Sequence, residues 1–381
     1  MSESTQVVAR ARETAEKVLF PGALQTDRSR LLPVERLDAL ADAGLYGLFG
    51  PASAGGLEAD PVAAAEVTEI LAGACLTTAF VWMQHHSAVL TVARAGSEAL
   101  RRQWLAPLCR GERRAGVAFA GLRRPGPPVL TARQSEGRWL LNGSAPWVTG
   151  WGRVDVVHTA ARDLDGNVVW LLVDAEASPG LEVERLELSA VNASATVSVR
   201  FEDHEVGADR VTLIEPMETW TARDAAGLAG NGSFPLGLAH RCASLIGSDL
   251  FDGEIALCRR LLRDATSETV VEARCRSAEL AVRAAAALVA TGGGRSVLVN
   301  EHAQRLAREA MFLLVFGQTP SIRAAQLRRE REASDRIVRD LERGDTPLSM
   351  TPCRRTRTKK VVGAPAALPL ASAPSTAVSG V

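Results

Sequence analysis

The chain has 381 residues, 44 basic and 44 acidic side chains, and no formal net charge. Its 46% apolar and 23% charged residues are the balance of a globular protein, long enough for two or three domains or one large composite subunit. A neutral total argues against a dedicated nucleic-acid binder. The N-terminal region lacks the charged start, apolar run and cleavage site of an export signal, so a cytoplasmic protein is expected. Cysteines 75, 109, 242, 258, 275 and 353 form no CxxC pair and read as reduced, mostly buried thiols. Uncharged stretches at 71–93 and 361–381 are interrupted by Gln84, His85, His86 and Ser87 in the first and by Pro, Ser and Gly in the second. Neither is a continuous apolar span of ~20 residues, and no membrane association is expected.

Residues 1–113 read as helix and turn. Asp27 and Pro33 precede a helix with Val34, Leu37, Leu40 and Leu45 on one face. PASAGGLEADP (51–61) is a loop, followed by helical patterns over 63–74 and ending in EALRRQWLAPL (98–108). Near Ala115 the pattern changes. RWLLNG (138–143), VDVVHTAAR (154–162), NVVWLLVD (167–174) and ATVSVRFED (195–203) alternate or run β-branched between turn residues. They predict a small antiparallel barrel or sandwich over 114–215. Helical periodicity returns over 216–330. Helices, then strands, then helices argue an α+β fold rather than alternating βαβ units. Residues 331–381 carry nine basic and five acidic side chains and end in an Ala/Pro/Ser-rich tract. A disordered tail after a helical start is expected there, with RRTRTKK (354–360) as a solvated run or a contact for an anionic partner.

No metal site is expected. The six histidines include neither an HExxH pair nor a Cys/His ladder, and adjacent His85 and His86 point ~100° apart on a helix. There is no GxSxG elbow, and TGGGR (291–295) lacks the lysine of a phosphate loop. The most informative segment is NGSAPWVTGWG (142–152), where two tryptophans flank a threonine and glycines beside a turn. A flat aromatic face, a hydroxyl and a close-approach glycine suit a planar heteroaromatic ligand. Trp147 as a plain core residue is the alternative.

Over residues 8–330 the chain resembles the acyl-CoA dehydrogenase family. Asp27, PVERLDAL (33–40), GLYGL (44–48), Pro51, GGL (55–57) and GSEALRRQWLAPLCRGE (96–112) follow the family's N-terminal order. LLNGSAPWVTG is similar to its flavin-contacting strand, residues 179–206 to the rest of its β-domain, and GGGR…EHAQRLAREAMFLLVFGQTPSIR to its terminal helix pair. The resemblance implies a helical domain, a central β-domain, a C-terminal helical bundle, a homodimer or homotetramer, and FAD. In such a protein Trp147, Val148 and Thr149 would meet the flavin ring, with the Thr149 hydroxyl near its reactive nitrogen. AFAGLRRPG (118–126) is shorter than the family's second flavin-contacting stretch and lacks its hydroxyls, which leaves the backbone of Phe119, Ala120 and Gly121. No Arg-X-X-Phe-Gly segment for the FAD diphosphate is found, though Arg259, Arg260 or Arg263 could substitute.

The resemblance also implies α,β-desaturation of an acyl thioester, on CoA or a carrier protein, with the electron acceptor left open. That reaction needs a carboxylate base. Both positions where the family carries one are glycine here, Gly227 and Gly317. Asp224, one turn before Gly227, is the candidate base; its alternative is an ordinary helix acid interacting with the dipole or with Arg223. Glu309 matches a structural acid of the family and reads as an ion-pair residue. A monooxygenase of the same fold, or a non-catalytic relative that has lost FAD, are the other readings.

Overall fold

The computed structural model describes residues 3–343. The chain begins with α1 (Glu3–Thr14), α2 (Ala23–Arg28) and α3 (Val34–Asp42), and continues through α4 (Pro61–Ala74), α5 (Leu76–Ala95), α6 (Glu98–Leu100) and α7 (Ala106–Arg110). Local chemistry sets the boundaries. Gly44 takes the left-handed φ of 73° that ends the α3 turn, and Asp60 caps α4 by accepting from the Val62 and Ala63 amides at 2.9 Å. Leu37 and Leu40 of α3 are fully buried and Leu45 follows in a 3₁₀ turn, whereas Val34, at the first turn, is 39% exposed. The apolar face is thus narrower than its spacing predicts.

Eight strands follow: β1 (Ala115–Ala118), β2 (Leu130–Ser135), β3 (Arg138–Val148), β4 (Val156–Arg162), β5 (Asn167–Asp174), β6 (Leu181–Arg185), β7 (Val197–Gly207) and β8 (Val211–Pro216). They form one sheet in the order β6-β7-β3-β2-β4-β5-β8, with β1 beside β4. Most pairs are antiparallel, as the alternation predicts, but β1 and β2 meet β4 in parallel, so the sheet is mixed. The reason lies in burial. All of β1 is buried, and so is β4 up to its last residue, and parallel pairing occurs where both faces are covered. One cover is α5, whose Ala88, Val89 and Val92 pack with Ala115, Val156 and Leu172.

The last helices are α8 (Met217–Ala226), α9 (Ser233–Ile246), α10 (Asp252–Arg263), α11 (Val270–Gly292), α12 (His302–Val315) and α13 (Pro320–Glu342). Of these, α9, α10, α11 and α12 share one core with α1, α4 and α5, while Ile322 and Ala325 of α13 pack with Val270 and Cys275 of α11 and Trp220 of α8 packs against the sheet. Two glycines allow the closest approach: a Cβ on Gly237 would lie 2.0 Å from the Glu69 carbonyl oxygen, and one on Gly73 2.5 Å from that of Gly237. Arg308 of α12 reaches Asp27 of α2, Nη2 to Oδ2 2.6 Å, and joins the two ends of the described chain. Within α12, Arg305 and Glu309 form an ion pair at 2.8 Å with both side chains buried, the arrangement expected for Glu309.

Five of the cysteines are free and buried, and Cys353 lies outside the described residues. The helix α13 runs through 331 to Glu342; RRTRTKK and the Ala/Pro/Ser tract also lie outside the described residues. Among the described residues, no helix is long and apolar enough to cross a membrane and no cluster of metal-ligating side chains occurs. His85 is a structural strap, its Nε2 3.0 Å from the Leu108 carbonyl oxygen and its Nδ1 accepting from the Ala115 amide at 3.1 Å. Burial holds its pKa down to about 3.

Candidate functional site

Trp147 sits where the β3–β7 register shifts, between Ala145 and Val148. A bulge turns a side chain away from the pleat, and here the bulged backbone takes a left-handed φ of 63° that a non-glycine residue rarely adopts. The result is a tryptophan 55% exposed, followed directly by well-buried Val148 at 1% and Thr149 at 2%. Trp147 is therefore not a core residue. Thr149 faces inward, its Oγ1 3.2 Å from Thr196 Oγ1, which is itself 2.8 Å from Ser194 Oγ. The Gly150 amide donates to the Ser194 carbonyl at 2.8 Å, and a Cβ on Gly116 would lie 2.9 Å from the Thr149 carbonyl oxygen. The segment after β3 is pinned on both sides.

Phe119, Ala120 and Gly121 form the entry to a 3₁₀ turn, Ala120–Arg123. With Ser144 and Ala145 of β3 they line a cavity of about 40 Å³, which suits a water rather than a ring. Gly121 is packed from inside, since a Cβ there would meet Val129 Cγ2 at 2.5 Å. The turn also carries Arg123, whose guanidinium lies over the Phe119 ring at 5.0 Å and donates to both carboxylate oxygens of Asp224, at 2.8 and 2.7 Å. Both side chains of the pair are 18% exposed. Arg223, the neighbour expected to hold Asp224, instead pairs with the buried Glu215, which also accepts from Trp170 Nε1 at 3.0 Å.

The two glycine positions differ. A Cβ on Gly227 would meet nothing within 4 Å. Gly317 has a φ of +59°, and a Cβ there would lie 2.7 Å from Asn231 Nδ2 and 3.9 Å from Arg274 Nη2. Arg274 projects from α11, is 3% exposed, and donates from Nη2 to the Phe316 carbonyl at 3.0 Å. Sequence reasoning singles out neither Arg123, Arg274 nor Asn231. A signal for Arg274 exists: Val270, Val271, Ser277 and Ala278 occupy its i±3 and i±4 positions, so its helix offers it no acid, whereas Arg276 has Glu272.

Arg259 pairs with Glu69 at 2.7 Å and Arg263 with Asp264 at 2.9 Å. Both arginines line a cavity of about 870 Å³ among α1, α4, α9 and α10, which none of Phe119, Trp147 or Asp224 lines.

Helices before and after one mixed sheet, with an exposed aromatic at a strand bulge, define a protein of the α–β–α type. Residues 1–112 match the model of the acyl-CoA dehydrogenase N-terminal domain. The chain is 28% identical over 216 residues to the human mitochondrial short-chain specific acyl-CoA dehydrogenase, covering 54% of this chain and 52% of that protein. Its fold is similar to that of butyryl-CoA dehydrogenase from Megasphaera elsdenii, with a TM-score of 0.74 at 19% identity over 86% of this chain and 96% of that one. It is also similar to a glutaryl-CoA dehydrogenase from Mycobacterium smegmatis in complex with FADH2, with a TM-score of 0.73 at 18% identity over 85% and 94% of the two chains. The match to the family model is confined to residues 1–112, and over the rest of the described chain the likeness is one of fold. The chain spans about half the length of the curated relatives it matches.

The Mycobacterium smegmatis structure holds FADH2, and the face to compare with a ring site in this chain is that of Trp147. A strained backbone that holds a half-exposed indole outward presents a flat apolar face that a bound ring would cover.

Proposed function

We propose that the protein is an FAD-dependent oxidoreductase that desaturates an acyl thioester, carried on CoA or a carrier protein, between its α and β carbons. The observation that carries this reading is the bulged, left-handed Trp147 beside the pinned Thr149, in a chain whose first 112 residues match the acyl-CoA dehydrogenase N-terminal domain. Trp147 and Val148 would hold the ring end of FAD, with the Thr149 hydroxyl at its edge and the backbone of Phe119, Ala120 and Gly121 on the other side. When bound, the cofactor supplies the hydride acceptor for CH–CH oxidation.

Asp224 is our proposed base. Two guanidinium bonds orient it, and it reaches a substrate proton only after Arg123 swings aside, toward the Phe119 face it already touches. The exposed Val297, Leu298, Val299, Met311 and Val315 support a homo-oligomer, dimer or tetramer, through the C-terminal helices.

The test is the absorbance spectrum of the purified protein with added FAD, followed by anaerobic titration with acyl-CoA thioesters. Flavin bands that bleach with a saturated thioester, and that Trp147→Ala with Thr149→Ala abolishes, support the reading. A folded protein that takes up no flavin overturns it in favour of a non-catalytic relative. Flavin that is retained but not reduced by any thioester overturns the dehydrogenase reading.

A further inference from the structure

Among the described residues, Arg274 is a buried cation without an acid. It is 3% exposed, its Nε and Nη1 have no hydrogen-bond partner, and Nη2 alone is used, on the Phe316 carbonyl. Other partly buried arginines with an orphan nitrogen, Arg36, Arg114 and Arg185, lack a partner only at Nε and bond through their terminal nitrogens. A buried guanidinium cannot shed its proton, because even desolvation lowers its pKa only to about 10. It therefore stays charged at neutral pH, with two donor nitrogens unpartnered and desolvated.

The groups facing it do not cancel that charge. Cys275, next to it on α11, is a neutral thiol, since burial raises its pKa to about 11. The turn between α12 and α13 offers the Phe316 carbonyl and Gly317, which has no side chain. Asn231 adds an amide. Arg123 adds a second positive charge near enough to disfavour that of Arg274, but both oxygens of Asp224 neutralise it. What remains is one positive charge with open donors, beside the glycine at 317 and the pair that holds the proposed base.

We propose that Arg274 recognises a carboxylate carried by the acyl group of the substrate, so that the protein takes monothioesters of dicarboxylic acids. This rests on the thioester reading given above. A guanidinium presents two parallel donors along its Nε–Nη2 edge and again along its Nη1–Nη2 edge, and a planar carboxylate matches whichever of these the Phe316 carbonyl leaves free. Gly317 matters to the same end, because a side chain there would run into Asn231 and toward Arg274.

The experiment measures dissociation constants by calorimetry on the full, flavin-loaded chain. Succinyl-CoA and glutaryl-CoA are compared with straight-chain acyl-CoA thioesters of equal chain length, in wild type, Arg274→Met and Arg274→Lys, and FAD affinity is measured in all three. The expected result is a preference of about tenfold or more for the carboxylate-bearing thioesters, the worth of a charge-assisted pair. Arg274→Met removes it, Arg274→Lys keeps part of it, and FAD affinity does not change. Equal binding of the two thioester classes by wild type overturns the proposal whether or not the variants fold. So does a preference that survives Arg274→Met, or a loss confined to FAD affinity, which would assign the guanidinium to the cofactor diphosphate. Failure to bind any thioester sinks the thioester reading itself, and that outcome is distinct from binding without preference.

Discussion

Arg305 and Arg274 are both buried on C-terminal helices, and their surroundings differ. Arg305 meets Glu309 one turn away on α12, with Nη1 2.9 and 2.8 Å from the two carboxylate oxygens and His302 at its other edge. Phe20 stacks on His302 at 4.5 Å. Every strong group there is answered within the fold. Arg274 sits on α11 with no acid on its helix and a glycine opposite, so it has only a backbone carbonyl. A charge that is buried and paired locks a structure, whereas one that is buried and unpaired carries a desolvation cost that the fold leaves uncompensated. The Arg123–Asp224 pair lies between the two: complete, but 18% exposed and able to open.

The largest expected effect tests that intermediate pair. Asp224→Asn should lower the rate of flavin reduction by an acyl thioester about 10²- to 10⁴-fold, measured by stopped flow, with thioester affinity little changed. If Asp224 is only the partner of Arg123, affinity and rate change together or neither does. Next comes the locked pair. Glu309→Gln leaves Arg305 without its carboxylate and should cost about 3–5 kcal/mol by urea denaturation; a loss below about 1 kcal/mol would mean that His302 suffices as partner.

Burial neutralises imidazoles where it cannot neutralise guanidiniums, and pH separates the two. His85 and His158 are pushed down to about 3 by burial, below the ordinary histidine value. The neutral form is the folded one, so their contribution is present above the unfolded pKa and is lost as pH falls from about 6.5 toward 3. Stability should drop by up to about 1.4 kcal/mol per pH unit for each histidine across that window. His158→Gln should flatten the profile; an unchanged slope would place the acid sensitivity elsewhere. Arg274→Met should do least: thermal unfolding unchanged, or about 1 kcal/mol more stable, since an uncompensated charge is removed. A loss of 3 kcal/mol or more would put Arg274 with Arg305 among the structural locks and erase the contrast.

Much of this was legible along the chain. The strand runs at 138–143, 154–162, 167–174 and 195–203 all lie in or overlap strands, because period-two patterning and turn residues are local. The WVT segment stood out by its residue types alone. The parallel partners of β4 were not legible, since register between distant strands is set by which faces are covered. The exposure of Trp147 was not legible either. A tryptophan at a strand end reads equally as core until the bulge that turns it outward is known. Asp224 was assigned a sequence neighbour, Arg223, and found Arg123 instead, 101 residues away.

The sequence by itself determined the order of helices, strands and helices, the family motifs and the two glycines at 227 and 317, because these depend on residue type and short spacing. Only the tertiary structure decided which glycine has room for a side chain, which arginine holds Asp224, and that Arg274 is sealed in without a carboxylate. Those outcomes are set by desolvation and by contacts among α8, α11, the turn at 120–123 and the turn before α13. No single helix or strand carries that information, because a charge becomes costly only when other elements close over it.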